Sequence, residues 1–202
     1  AITVGVQGYA SRSVEPPSTH SNVRSSRDGF VEVVRTNVSL VRRRMKNTDL
    51  VFKMMTLGDM SNTDVCLCYI KNVADKKLVK EVEKRLKQIP LNTILEGGFV
   101  QPFLENPGSQ LFSEVGATER PDVLTAKLHE GKVGVLIDGT PFALFVPKLF
   151  MENFSVIDDY TGRPIFAAFI RIIRYMAIIF ATVVSGFYVA LACLLYTSDA
   201  AD

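Results

Sequence analysis

The side chains best suited to metal chemistry in this sequence are three cysteines and two histidines. Cys66 and Cys68 lie two residues apart, which places both thiols on one face of a strand but is too close for a normal disulfide between them. A zinc site needs further ligands at workable spacing, and His20 and His129 are distant in the sequence and in unlike contexts. Cys193 falls inside an apolar run. The pattern favours packed free thiols in a reducing compartment and predicts no metal site and no cofactor.

Acidic residues at two other places are candidates for chemistry. Asp138 and Gly139 stand between two apolar runs, which is typical of an Asp-Gly hairpin turn and explains the aspartate without a catalytic role. Glu119 and Arg120 precede Pro121, and we expect them to fix the start of a helix through capping and local charge. The sequence contains no glycine-rich phosphate loop and no nucleophile elbow. We therefore predict that the protein is not an enzyme.

The longest apolar run, residues 175–195, carries no charged side chain. At about 1.5 Å of helical rise per residue it spans roughly 31 Å, which matches the hydrocarbon core of a bilayer. A buried core helix is the alternative, but such helices usually show a polar face. Arg163, Arg171 and Arg174 precede the run and no Lys or Arg follows it. The positive-inside rule therefore predicts a transmembrane helix with everything before it in the cytoplasm.

Composition and periodicity divide the rest of the chain. The predicted fold class is α/β, with a cytoplasmic N-terminal domain of two small α/β lobes followed by the transmembrane helix. The predicted segments are an N-terminal strand and extended arm at 1–27, a first lobe at 28–96, a second lobe at 97–160, an amphipathic membrane-proximal segment at 161–174, the transmembrane helix at 175–195 and a non-native tail at 196–202.

Within the two lobes, hydrophobic periodicity gives specific elements. In residues 64–70 both faces are apolar, which predicts a buried central strand. Asp28 is expected to cap the first helix. The predicted elements are strands at 2–6, 51–56, 64–70 and 92–95, helices at 29–46, 75–88, near 109–115 and from 121 to 129, and a hairpin of 132–138 with 142–147.

Two groups of arginines are candidate contact residues. Arg42, Arg43 and Arg44 end the first predicted helix, where positive charge is favoured by the helix macrodipole. Three consecutive arginines fan around a helix and are not expected all to find local partners, so anionic lipid headgroups are the rival explanation. Nucleic acid comes third and is not predicted, since no aromatic residues are interleaved and the net charge is only +2. Arg171 and Arg174 share a helix face, which predicts guanidinium groups at headgroup depth.

Several motifs in this sequence occur together and in order in a known family. They are Arg12-Ser13-Val14-Glu15-Pro16-Pro17, Arg27-Asp28-Gly29-Phe30, the run from 35 to 44 ending in three arginines, Asn62-Thr63-Asp64-Val65, Thr118-Glu119-Arg120-Pro121-Asp122, and the run from 131 to 147 that contains Asp138-Gly139-Thr140. Nearly the whole chain resembles the A subunits of GerA-type spore germinant receptors, including the stage V sporulation AF proteins.

This resemblance implies a cytoplasmic domain of two α/β lobes followed by several membrane spans, of which this sequence holds the first. Members of the family work in the inner membrane of dormant spores with B and C subunits, and their A subunits are thought to form an oligomeric ion channel. The resemblance therefore implies a homo-oligomeric membrane subunit that relays a nutrient signal. The alternative is a membrane-tethered module that binds a small polar ligand or ion between its lobes.

Overall fold

The computed structural model describes residues 13–16, 26, 28–106, 108, 112–154 and 164–199. They belong to two compact units, Ala1–Leu149 and Phe150–Asp202. The strand predicted at 2–6, most of the predicted arm and the motif residue Arg27 lie outside the described residues.

A five-stranded antiparallel sheet forms the centre of the first unit. Its strands are β1 Leu50–Leu57, β2 Thr63–Ile70, β3 Gly116–Thr118, β4 Val133–Ile137 and β5 Ala143–Val146, in the spatial order β1-β2-β4-β5-β3. Strand β2 pairs with β1 on one side, from Leu50↔Ile70 onward, and with β4 on the other, from Val65↔Ile137. Strands from both predicted lobes therefore lie in one continuous sheet, and the boundary at residue 97 does not separate two sheets.

Helices cover both faces of the sheet, which confirms the α/β class. They are α1 Val34–Arg44, α2 Lys76–Lys87, α3 Gly97–Leu104 and α4 Pro121–His129, followed in the second unit by a 3₁₀ turn at Phe150–Phe154 and by α5 Pro164–Asp199. One core holds Val65 and Leu67 of β2 with residues of α2 and α3, and the other holds Cys66 and Cys68 with residues of α1 and α4. The prediction that β2 is buried on both faces is confirmed.

The first helix begins five residues later than its sequence predicts. Residues 28–33 are not helical, and α1 starts at Val34 with Val33 as its N-cap residue. Backbone bonds to distant segments hold this stretch extended: Gly29 N–H donates to the Glu15 carbonyl at 2.9 Å and Phe30 N–H donates to the Glu119 carbonyl at 2.8 Å. Asp28 is therefore not the helix cap that was predicted.

The strand predicted at 92–95 is also wrong. Side-chain bonds replace a strand ladder there, since Ile94 N–H donates to Ser61 Oγ at 3.0 Å and Thr63 Oγ1 donates to the Ile94 carbonyl at 2.6 Å. The described part of the helix predicted near 109–115, residues 112–115, is not helical. Strand β3, which follows at once, has only three residues and is too short to show a period of two.

Helix α5 contains the predicted transmembrane run. Its residues Ile165–Leu194 are long and apolar enough to cross a bilayer, and none of the most apolar stretch is buried in the structure. Large side chains along it are exposed to solvent, as Phe180 and Phe187 show. From Pro164 onward, the residues of the membrane-proximal segment predicted at 161–174 belong to α5, which is continuous to Asp199.

Candidate functional site

The motif residues Asp138 and Gly139 lie against the start of α1. Gly139 has φ +84, which confirms the predicted turn between β4 and β5 and explains the glycine. The Asp138 carboxylate accepts a hydrogen bond from Val34 N–H at 2.9 Å, and Gly139 N–H donates to the Glu32 carbonyl at 2.8 Å. Asp138 therefore caps α1 from a turn about a hundred residues away, a role that the turn explanation missed because nothing local in the sequence signals it.

Three further motif residues, Asp28, Gly29 and Glu119, meet near the same place although they are far apart in the sequence. Asp28 and Gly29 lead into Phe30, whose N–H donates to the Glu119 carbonyl, and Phe30 itself is only 1% exposed. The residues from 28 to 33 thus lie between α1, the segment before α4 and the β4–β5 turn. We call these residues the connecting segment. The structure brings together Asp28, Gly29, Glu119, Asp138 and Gly139, which the sequence separates.

Asn37 is a buried polar residue that sequence reasoning did not single out. It is fully buried in α1, accepts a hydrogen bond from Val31 N–H at its Oδ1 at 2.8 Å, and donates from Nδ2 to the Val31 carbonyl at 2.5 Å. One side chain therefore satisfies both backbone groups of a residue in the connecting segment. An Asn on the otherwise apolar face of a predicted helix was the available signal.

Among the residues that the structure describes, Arg120 is the largest fully buried side chain, 1% exposed, and it forms a bidentate ion pair with Asp122. Its Nε and Nη2 donate to the two carboxylate oxygens at 3.1 and 2.6 Å. Burial alone would raise the pKa of Asp122, but hydrogen bonds and charge from Arg120, the Val123 N–H and the charge of Arg44 together hold that pKa below its usual value. The role in local charge that was predicted for Arg120 is therefore carried by its buried ion pair with Asp122 at the start of α4.

The three consecutive arginines have different surroundings. Arg43 and Arg44 both donate to Asp28 Oδ2, the latter at 3.0 Å, and Arg44 also donates to Ser26 Oγ. The Arg44 side chain is 21% exposed and that of Arg43 is 60% exposed. Arg42 stacks over the ring of Phe52 at 4.9 Å. Arg43 and Arg44 therefore pair with an acidic residue, whereas the contact of Arg42 is with an aromatic ring.

Arg171 and Arg174 lie in the first third of α5, ahead of its uncharged portion, and both are half-buried. Their three-residue spacing places them on one side of the helix, as the sequence predicted. Beyond them, α5 carries no charged residue until Asp199.

Metal-binding and nucleophilic chemistry has little support in the described residues. Cys66 and Cys68 are buried free thiols, and no group of three or more His, Cys, Asp or Glu side chains that are described stands close enough to hold an ion. Burial raises the pKa of Cys66 to about 12 and raises the pKa of Cys68 as well. Neither thiol is therefore an activated nucleophile.

Known proteins resemble this chain over nearly its whole length. The family described as Bacillus/Clostridium GerA spore germination protein matches residues 1–196. Spore germination protein KA of Bacillus subtilis is 39% identical over 190 residues, which cover 94% of this chain and 35% of that protein. Stage V sporulation protein AF of Bacillus subtilis is 34% identical over 183 residues, which cover 90% of this chain and 37% of that protein.

A solved structure is also similar. The crystal structure of the N-terminal domain of the A subunit of the Bacillus megaterium spore germinant receptor GerK3 is 43% identical, with a TM-score of 0.49, and covers 60% of this chain and 97% of that one. This chain spans less than two fifths of the length of the two curated relatives above.

Proposed function

This chain belongs to the GerA family of spore germination proteins, and we propose that it forms the N-terminal domain and the first membrane span of a germinant receptor A subunit. In this proposal the α/β unit lies in the cytoplasm at the inner membrane of the spore. It forms homo-oligomers, contacts B and C subunits, and relays a nutrient signal to an ion channel. The family match over residues 1–196, which includes both the α/β unit and the exposed apolar helix α5, is the observation that carries the proposal.

The positions of the basic residues in α5 support the proposed orientation, in which the α/β unit lies on the cytoplasmic side. Arg171 and Arg174 precede the uncharged portion of α5, and no basic residue follows it within the helix. Basic residues at the start of a span favour the cytoplasmic side. In the proposal these two arginines lie at headgroup depth, and the Arg42–Arg44 group contributes to membrane or subunit contact through its exposed members, Arg42 and Arg43.

A role without catalysis fits the same observations. The two curated relatives described above are named as germination and sporulation proteins. The alternative of a ligand-binding module between two lobes has less support, because β2 and β4 pair directly across the boundary where a cleft between lobes was expected.

Orientation is tested by cysteine labelling of the full chain in membrane vesicles. Asp59→Cys in the exposed β1–β2 turn and Tyr196→Cys at the far end of α5 are each made in a Cys193→Ser background. We expect a membrane-impermeant maleimide to label the two sites from opposite sides, with Asp59→Cys on the cytoplasmic side. Labelling of both from one side, or a chain that stays monodisperse in buffer without detergent, would overturn the membrane-subunit proposal.

Assembly is tested by co-expression of two copies of the chain with different affinity tags. We expect each tag to retrieve the other copy from detergent extracts, and copies mixed after extraction serve as the control. Calorimetric titration with amino acids and sugars tests the alternative function, because saturable binding by this chain would favour a ligand-binding module over a receptor subunit.

A further inference from the structure

The exposed face of α1 carries charge of a single sign. Arg35, Ser39, Arg42 and Arg43 are exposed and follow one another at helical spacing. Lys46 is exposed two residues beyond the helix end, after the extended residue Met45. We call these five residues the basic face. The eleven residues of α1 include no Asp or Glu, so no partner within the helix balances the basic face.

Helix α2 is also basic, but it differs from α1 in having acidic residues of its own. It has six basic residues and two glutamates, whereas α1 has four arginines and no acidic residue, so each helix carries a net charge of +4. Ion pairs within α2 join Arg85 to Glu81 at 2.9 Å and Lys87 to Glu83 at 2.6 Å. Glu83 also binds Lys53 of β1 at 2.6 Å. Two of the six basic residues of α2 are therefore paired within the helix, and α2 serves as a control of equal net charge for α1.

Asp28 is the acidic residue that binds the end of the basic face. Its Oδ2 accepts hydrogen bonds from both Arg43 and Arg44. Arg44 is mostly buried and also bonds Ser26, so it belongs to the fold, whereas Arg43 is 60% exposed and can exchange partners without disturbing the core. A phosphate oxygen offers a guanidinium the same charge-assisted bond as the Asp28 carboxylate does.

We propose that the basic face docks on an anionic lipid surface, and that Asp28 weakens this docking by competing with lipid phosphates for Arg43. The inference rests on the proposed function, because helix α5 as a membrane anchor keeps the unit close to headgroups. Charge complementarity identifies the occupant: three exposed arginines on one face of α1, followed by the exposed Lys46, match the phosphates of an anionic leaflet. An acidic protein surface is the competing occupant, and the experiment below excludes or supports it.

The test uses the full chain in lipid nanodiscs with a fluorescent probe at the centre of the basic face. Ser39→Cys in a Cys193→Ser background is labelled with a small fluorophore, and Cys66 and Cys68 remain buried. Spin-labelled headgroups quench the probe only when it lies at the lipid surface. We expect quenching in discs containing phosphatidylglycerol, little in discs of phosphatidylcholine alone, and a decrease as salt rises above about 0.15 M because the charges are screened.

Matched variants separate docking from general charge effects. Replacement of Arg35, Arg42 and Lys46 by Gln is expected to lower the docking equilibrium about a hundredfold, whereas replacement of Lys76, Lys80 and Lys84 on α2 leaves it nearly unchanged. Asp28→Asn is expected to raise docking severalfold. Equal losses in the two triple variants, or no response to Asp28→Asn, would overturn the inference.

The nanodisc experiment distinguishes failure of the proposed membrane-subunit function from failure of the lipid-docking inference. If the chain does not enter nanodiscs, the proposed membrane subunit fails and this inference fails with it. If the chain enters but the probe stays unquenched in phosphatidylglycerol, only the lipid-docking inference is overturned, and an acidic protein partner becomes the occupant to seek.

Discussion

The carboxylate of Asp138 accepts a hydrogen bond from the backbone N–H of Val34, 2.9 Å away and 104 positions earlier in the chain. A helix usually receives its N-terminal acceptor from a residue just before it, but Val33 at that position has no polar side chain. The turn between β4 and β5 supplies the acceptor instead. The start of α1 is therefore bonded to a turn of the sheet, which ties the connecting segment to the centre of the unit.

Asp138→Ala is expected to lower the free energy of unfolding by about 1 to 2 kcal/mol, because Val34 N–H loses its acceptor. Asp138→Asn keeps an oxygen at the same place and should lose less. Chemical unfolding in mild detergent measures both. Asp59→Ala, at an exposed turn residue, is the control, and a loss as large as that of Asp138→Ala would argue against the cap.

Asn37→Ala is expected to be more damaging, with a loss of about 2 to 4 kcal/mol, since it leaves two buried backbone groups of Val31 without partners. Thermal unfolding followed by circular dichroism gives the size of the effect. The neighbouring Ser39→Ala removes only an exposed hydroxyl and should change the melting temperature little. Similar melting temperatures for the two variants would contradict the role given to Asn37.

The Arg120–Asp122 pair should make stability depend on acid. The folded state lowers the pKa of Asp122, so the pair stabilises the fold above the unfolded-state pKa near 3.8, and this contribution disappears as pH falls through the lower folded-state pKa. Asp122→Asn is therefore expected to cost about 1 to 2 kcal/mol near neutral pH and progressively less below about pH 4. Unfolding titrations across that range measure the gap between wild type and variant, and a constant gap would be inconsistent with the pair.

The consecutive arginines should separate into structural and surface residues. Arg44→Ala removes a mostly buried side chain bonded to Asp28 and Ser26, and we expect a loss of about 1 to 2 kcal/mol. Arg42→Ala removes an exposed stacking contact on Phe52 and should cost about 0.5 to 1 kcal/mol. The unfolding midpoints of the two single variants show which of the two arginines contributes more to stability. A larger loss for Arg42→Ala would reverse the assignment.

Cys66 and Cys68 should resist alkylation in the folded protein. Burial raises the pKa of Cys66 to about 12, so raising the solution to about pH 9 creates almost no thiolate there. Mass spectrometry after iodoacetamide treatment is expected to find both residues unmodified until urea unfolds the chain. Ser39→Cys provides an exposed thiol as the positive control, and rapid modification of Cys66 in the folded state would contradict its burial.

Periodicity predicted the elements whose side chains pack in regular patterns. The alternation in β2 and β4 correctly assigned opposite neighbours such as Cys66 and Leu67 to different cores. The helix at Pro121 and the apolar run in α5 also follow from local signals. Each of these features depends on residues within a few positions of one another.

The wrong predictions involve partners that are far away in the sequence. Residues 28–33 continue the apolar stripe of α1, yet backbone bonds to Glu15 and Glu119 hold them extended. Ile94 sits in a stretch with strand-like composition, but the side chains of Ser61 and Thr63 take its backbone groups. Neither set of hydrogen-bond partners is visible in a short stretch of sequence. In the folded protein these tertiary hydrogen bonds outweigh the local propensity.

The pairing of β2 with β4 has a consequence for biosynthesis. Strand β2 ends at Ile70 and β4 ends at Ile137, so the ribosome needs roughly 3 to 13 s, at about 5 to 20 residues per second, to supply the missing neighbour. Until then the nascent polypeptide exposes the edge of β2 that later pairs with β4, and an unpaired strand edge promotes aggregation. Shielding of this strand edge during synthesis therefore matters most in the interval before Ile137 has been made.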